Sequence, residues 1–201
     1  MDYLVDVQGF KESGDIFVLK KFAMVPVDGN SIEHTEFVVE APYPFTNLSR
    51  NYQIINSWLT RNSHGIPWDS GTIVYNEARM HTCKILQNAR VVYVWGSEKK
   101  IWLTDVLGAS SSVIDLKKYN CPSMLKLKFL FDYRSAANKF SKGFECPGEN
   151  VKLMKLWMLM NNVFPQPNEN ETSELSPRTK KFLHDLTCNE TPKMVFSRSK
   201  K

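Results

Sequence analysis

The chain has 201 residues, of which 42% are hydrophobic and 12% aromatic, and it carries a formal net charge of +5. This composition supports a buried core and excludes a largely disordered chain. No apolar run approaches the ~20 residues of a membrane helix, and the N-terminal residues lack the basic and apolar regions of a signal peptide. We therefore expect an intracellular protein of nucleus or cytoplasm, with no membrane partner and with free thiols.

The first forty residues predict three strands that follow one another through short turns. Apolar runs at 3–10 and 16–25 are separated by a polar turn, and a third run at 36–41 ends at prolines. Asp6 lies in the middle of the first run. Burying a carboxylate costs several kcal/mol unless it is paired or holds a metal. Asp6 is therefore a candidate functional residue.

The next segment predicts a helix at 49–61 and a loop at 64–71. In the loop, His64 and Trp68 either close off the core or stack on a nucleobase. The predicted inner face of the helix contains Tyr52, Ile55, Trp58 and Leu59.

The rest of the chain alternates helices with strands. Strands are predicted at 89–95 and 112–116, and helices at 75–88, 98–107, around 127–131 and 149–161. This order predicts an α/β fold with a mixed sheet in a domain that spans 1–162. Residues 163–201 are too polar to bury a core, and they predict a flexible linker with a basic tail.

Three hairpin-linked strands with an acid in the first, followed by alternating helices and strands, resemble the ribonuclease H-like fold. Within that fold the chain resembles the DnaQ-like 3′–5′ exonucleases over about residues 1–160. Members of that family carry Asp-x-Glu on the first strand and further acids on later elements. The resemblance implies two Mg²⁺ or Mn²⁺ ions, held by those acids, that activate water.

The motif residues match this family in part. Asp6 takes the place of the first acid, but Gln8 stands where the glutamate is expected. In the strand and helix of 91–103, Lys99 falls on an aspartate of the family pattern. The segments 8–10, 64–68 and 96–103 also resemble a group of uncharacterised arthropod proteins related to viruses or mobile elements, which implies no particular chemistry.

Two interpretations of the predicted site follow. In a divergent metal-dependent nuclease, the acids would be Asp6, Glu98, Asp105 and Glu149, and Glu149 or Asn150 takes the place of the last family aspartate. In a catalytically degenerate protein, Lys99 would repel metal ions and pair with Asp6, so that the pair is structural and no cofactor is required.

Basic residues interleave with aromatic ones between 117 and 152, a pattern that suits single-stranded RNA or DNA. The predicted contacts are Lys117, Lys118, Lys126, Lys128, Arg134, Lys139 and Lys142. A solvated helix face would give the same pattern. A third interpretation is a protein-interaction scaffold or homodimer built on the apolar helix 150–161.

Two cysteines define the remaining candidate. Cys121 and Cys146 bracket the region in which the Maelstrom domain, a similar exonuclease-type fold, carries a Glu-Cys-His-Cys metal site. No histidine lies between them here. A structural zinc needs four ligands, and Asp132 and Glu145 are the nearest other donors. The two cysteines therefore either bind zinc or are free thiols packed as small apolar groups. The leading prediction is a nucleic-acid-binding protein on an exonuclease fold whose metal site has been lost or rebuilt.

Overall fold

A computed structural model describes residues 1–29, 31–108, 111–131 and 146–161. Within these ranges the chain forms an α/β domain around one mixed sheet of five strands, in the order β3-β2-β1-β4-β5. The strands span Asp2–Glu12 (β1), Ile16–Pro26 (β2), Thr35–Val38 (β3), Val91–Val94 (β4) and Ser112–Asp115 (β5). The predicted α/β class with a mixed sheet is therefore confirmed.

The sheet combines a meander with two parallel strands. β1, β2 and β3 pair antiparallel in sequence order, while β4 pairs parallel with β1, and β5 pairs parallel with β4. β1 is thus the central strand, and helices cover both of its faces. This position explains why an apolar run surrounds Asp6 and why its carboxylate is removed from water.

In the part of the chain that the structure describes, five α-helices flank the sheet. They span Arg50–Leu59 (α1), Tyr75–Leu86 (α2), Ser97–Leu107 (α3), Met124–Phe131 (α4) and Pro147–Met160 (α5). α2 and α3 pack on one face of the sheet through residues such as Leu86 and Leu103. α4 and α5 pack on the other face through residues such as Leu127 and Met154.

A bulge interrupts the pairing of β1 with β2. Gln8 pairs with Lys21 and Gly9 with Leu19, so Lys20 is an extra residue on β2. A Cβ atom placed on Gly9 would overlap the backbone carbonyl oxygen of Val18. Only glycine therefore allows the two strands to approach so closely here, and the bulge turns the Lys20 side chain into the protein.

The inner face of α1 differs from the predicted one. Ile55 is 41% exposed and Trp58 57% exposed, whereas Asn56 is fully buried. The Asn56 amide accepts from the Lys11 backbone N–H at 2.9 Å and donates to the Lys11 carbonyl at 2.8 Å. The helix lies over the end of β1, where unpaired backbone groups need a polar partner more than an apolar one. The prediction from apolar periodicity was therefore wrong for these two residues.

No helix within the described ranges is long and apolar enough to cross a membrane. The predicted linker and tail, 163–201, lie outside the described residues.

Candidate functional site

The centre of the site is the carboxylate of Asp6, which is 1% exposed. Lys99 donates a hydrogen bond from Nζ to Asp6 Oδ1, so the ion pair expected from the sequence is present. Asn150 donates from Nδ2 to Asp6 Oδ2 at 2.8 Å. Each carboxylate oxygen therefore has a donor, which offsets the cost of removing the charge from water.

Two helix N-termini meet at this carboxylate. Lys99 lies in the first turn of α3, and Asn150 follows the first residues of α5. The N-terminal ends of helices carry partial positive charge, so both helices direct the positive ends of their macrodipoles toward this carboxylate. Oδ1 of Asn150 is buried and has no hydrogen-bond partner among the described residues. The amide is thus held by its single donated bond, with an unused acceptor beside the ion pair.

The charge of this site is unsuited to divalent cations. Gln8, two residues along the same strand, is buried but neutral, and Lys99 adds a positive charge. A two-metal site uses several carboxylates to balance four positive charges. Within the ranges that the structure describes, no three His, Cys, Asp or Glu side chains are placed to share a metal ion.

The other three acids predicted for an active nuclease each form an ion pair with a base. The pairs are Lys11–Glu98, Arg79–Asp105 and Lys152–Glu149, all with nitrogen–oxygen distances of 3.0 Å. Glu98 and Asp105 are two turns apart on α3, which separates them by about 10 Å along the helix axis. Among the described residues no three of these acids are placed to share a metal ion, and Glu98, Asp105 and Glu149 each pair with a base of their own.

A second polar cluster, which the sequence did not predict, lies at the start of α5. Lys21 Nζ lies 3.1 Å from Glu36 Oε2 and donates to Cys146 Sγ at 3.5 Å. His34 Nε2 lies 3.3 Å from the same oxygen of Glu36. Burial opposes both charges, but their mutual attraction raises the pKa of Lys21 and lowers the pKa of Glu36. The cluster depends on a diagonal contact between β2 and β3, so finding it requires the strand register.

The two cysteines of the zinc alternative occupy different surroundings. Cys121 is packed in the apolar core under α4, and burial raises the pKa of its thiol to about 12. Cys146 precedes the first turn of α5 and contacts Lys21. Both are free thiols. Cys121 therefore behaves as a small core residue.

Four of the seven basic residues predicted to contact nucleic acid lie on the 3-10 turn after β5 and on α4, and the other three lie outside the described residues. Lys117 and Lys118 lie in the 3-10 turn after β5, and Lys126 and Lys128 lie on α4. We call these four lysines the basic segment. Lys117 Nζ lies 4.2 Å from the ring centroid of Trp95, within the range of a cation–π contact. The other predicted contacts, Arg134, Lys139 and Lys142, lie outside the described residues.

The loop after α1 places its aromatic residues inside the protein. Trp68 is 6% exposed, and its indole N–H donates to the Tyr43 carbonyl at 2.9 Å. His64 is 5% exposed, with its ring centroid 5.0 Å from that of Phe10 in an edge-on arrangement. Both side chains therefore close the core, and the structure exposes neither ring face for stacking.

No protein-family model matches the chain. A search of curated proteins also finds no significant match.

Proposed function

We propose that this protein binds single-stranded nucleic acid without cutting it, on an exonuclease-type ribonuclease H-like fold whose metal site has become an ion pair. The observation that carries the proposal is the Lys99 ammonium group on the buried Asp6 carboxylate. The cation lies where the family resemblance calls for an acid, and it neutralises the one acid on β1 whose place matches that family.

The sheet topology supports the fold part of the proposal. An antiparallel meander of three strands, continued by two parallel strands, is the arrangement that the resemblance implies. Asp6 lies on the central strand, and the helices that supply its partners begin near the same end of the sheet. In the related enzymes this position serves catalysis, whereas here it serves the stability of the helix–sheet contact.

The basic segment supports the binding part of the proposal. Its lysines lie on the elements that follow β5, and Phe129 on α4 is 84% exposed beside them in sequence. Lysines attract phosphates without reading sequence, and an exposed aromatic ring stacks on any base. This combination favours a single strand, whose bases are free to stack, over a duplex.

The test measures binding and cutting on the same labelled strands. We expect fluorescence anisotropy of a poly-U RNA and a poly-T DNA to show binding that weakens as salt rises, unchanged by EDTA. Each phosphate contact contributes about −0.7 to the slope of log K against log salt. The Lys117→Gln/Lys126→Gln variant should therefore flatten that slope by about 1.4. Lys84→Gln, an exposed change on α2 across the sheet, is the matched control.

Other outcomes favour the alternatives. Shortening of the strands that requires Mn²⁺ and disappears in Asp6→Asn would show an active nuclease and refute the proposal. Failure to bind either strand at low salt would also refute it. In that case, a mass that rises with protein concentration would point to the scaffold or homodimer interpretation.

A further inference from the structure

The outer face of α1 is apolar, while the inner face of the same helix carries a buried asparagine. Ile54, Ile55 and Trp58 are 59%, 41% and 57% exposed, whereas Asn56 is fully buried. No aromatic ring among the described residues packs on Trp58. Exposed apolar patches on a folded domain mark interaction sites, and tryptophan is enriched among the residues that contribute most to binding. We call the surface formed by these three exposed side chains the α1 face.

The charge around the α1 face is positive. Residues 41–68 contain no aspartate or glutamate, but they contain Arg50 and Arg61. Arg50 begins α1 and Arg61 lies in the π-helical turn Thr60–His64 that follows it, so the two exposed arginines are roughly 15 Å apart along the helix axis. Neither forms an ion pair with a described residue. Arg61 donates from Nε to the Ser57 carbonyl at 3.1 Å, which leaves its terminal nitrogens to bind an anion.

A second copy of this chain is a poor partner for the α1 face. If two α1 helices packed together antiparallel, Arg50 of each copy would approach Arg61 of the other, and parallel packing would bring identical arginines together. Like charges in contact repel, and no acid between 41 and 68 offsets that repulsion. The partner should therefore carry negative charge together with flat apolar groups for Trp58 to contact. A single strand of nucleic acid has both, because its phosphates alternate with bases whose rings are free to stack.

The α1 face also lies toward the same end of the sheet as the basic segment. α1 lies over the carboxyl end of β1, where Asn56 bonds to the backbone of Lys11. β4 and β5 run parallel to β1, so the carboxyl ends of all three strands point the same way, and the basic segment begins just after β5. In open α/β sheets, ligands bind beyond the carboxyl ends of the strands. One single-stranded nucleic acid can therefore meet both surfaces.

We propose that the α1 face is a second contact surface for single-stranded nucleic acid. The inference rests on the function proposed above and extends it to a helix for which the sequence predicted no such contact. Trp58 stacks on one base, while Ile54 and Ile55 pack beside it. The guanidinium groups of Arg50 and Arg61 bind phosphates on either side. Loss of Trp58 should therefore lower affinity at every salt concentration, whereas loss of the arginines should change the salt dependence.

Fluorescence anisotropy of the full chain with labelled poly-U and poly-T tests the α1 face. Trp58→Ala should bind about tenfold more weakly than the wild type at every salt concentration, because one stacked base is lost. Arg50→Gln/Arg61→Gln should flatten the slope of log K against log salt by about 1.4. Met80→Ala, a change at a 55% exposed residue of α2, and Lys84→Gln are the matched controls and should bind as the wild type does.

Competition with poly-glutamate separates a nucleic acid from an acidic polypeptide as the partner. Poly-glutamate carries the negative charge without the bases, so it should displace labelled poly-U less effectively than unlabelled poly-U of equal charge does. Competition as effective as that of poly-U would assign the α1 face to an acidic polypeptide and overturn the inference.

The failure of this inference differs from the failure of the proposed function. If the wild type binds neither strand at low salt, the proposed function is wrong and the inference fails with it. If Lys117→Gln/Lys126→Gln flattens the slope, but Trp58→Ala and Arg50→Gln/Arg61→Gln bind as the wild type does, the proposed function stands and the α1 face has no part in it. Urea unfolding of each variant checks that a change in affinity is not a loss of folded protein.

Discussion

The ion pair at the centre of the sheet makes a strong prediction about stability. Lys99→Met keeps the volume of the side chain but removes the ammonium group from Asp6, whose carboxylate stays buried. Breaking one side of a buried pair typically costs about 3–5 kcal/mol. Because Asn150 retains its bond to the carboxylate and the Lys99 side chain is 20% exposed, we expect a loss of about 3 kcal/mol.

Urea unfolding followed by tryptophan fluorescence measures this loss. With a slope of about 2–3 kcal/mol per molar urea, the midpoint should fall by about 1 M. The matched control is Lys11→Met, which breaks an ion pair of 3.0 Å whose side chains are 49% and 79% exposed. Exposed pairs contribute about 0–1 kcal/mol, so the control should unfold close to the wild-type midpoint.

A double variant separates an unpaired charge from lost packing. Adding Asp6→Asn to Lys99→Met removes the charge while keeping an acceptor for Asn150. We expect the double variant to recover more than half of the loss, because the main penalty is the uncompensated charge. If Lys99→Met and Lys11→Met lose equal stability, or if the double variant is the least stable, then the pair does not hold the site together.

Two further predictions concern the bulge. Burial lowers the pKa of Lys20 from 10.5 to about 8, although Asp69 and Glu40 attract its charge. Between pH 8 and 10.5 the unfolded chain therefore binds more protons at this residue than the folded chain does. Because of this difference, the free energy of unfolding rises with pH across that range. In urea titrations at pH 8 and above, the free energy of unfolding of the wild type should rise by up to about 3 kcal/mol relative to that of Lys20→Met. A difference between the two proteins that does not change with pH would contradict the lowered pKa of Lys20. Gly9→Ala should lose about 2–4 kcal/mol in thermal unfolding because its Cβ overlaps the Val18 carbonyl oxygen. Gly14→Ala, at a turn with φ of 72° and open space, should lose only about 1 kcal/mol, and similar losses would argue against the overlap.

Much of the fold was accessible from the sequence because it depends on local pattern. Apolar runs separated by polar turns gave the three strands of the meander, and the continuous run of β4 gave a strand covered on both faces. The bulge was not accessible, because the extra residue on β2 is defined only by its pairing with β1. The predicted inner face of α1 was wrong for a related reason. Asn56 is buried because its amide bonds to the backbone of Lys11, which lies 45 positions away in the sequence.

The site was predictable where one residue broke a pattern. A carboxylate within an apolar strand singled out Asp6, and the resemblance to the exonuclease motif put Lys99 where an aspartate was expected, which suggested its pairing with Asp6. The contact between Lys21 and Glu36 could not be predicted from a break in a pattern. A lysine and a glutamate on separate strands look like ordinary surface residues until the register of β2 and β3 is known. Lys20 was missed for the same reason, as its burial follows from the bulge.

Three lysine ammonium groups satisfy much of the polar interior in the described part of the fold. Lys99 holds a carboxylate between two helices, Lys20 holds two loop carbonyls, and Lys155 donates to the carbonyls of Pro26, Asp28 and Ser31 at 2.7, 3.3 and 2.8 Å. An ammonium group gathers oxygen atoms as a metal ion does, but it carries one charge and cannot polarise a bound water enough to make it a nucleophile. Under the function proposed above, this ion pair would keep the geometry around Asp6 without metal ions, and strand binding would depend on the lysines of the basic segment.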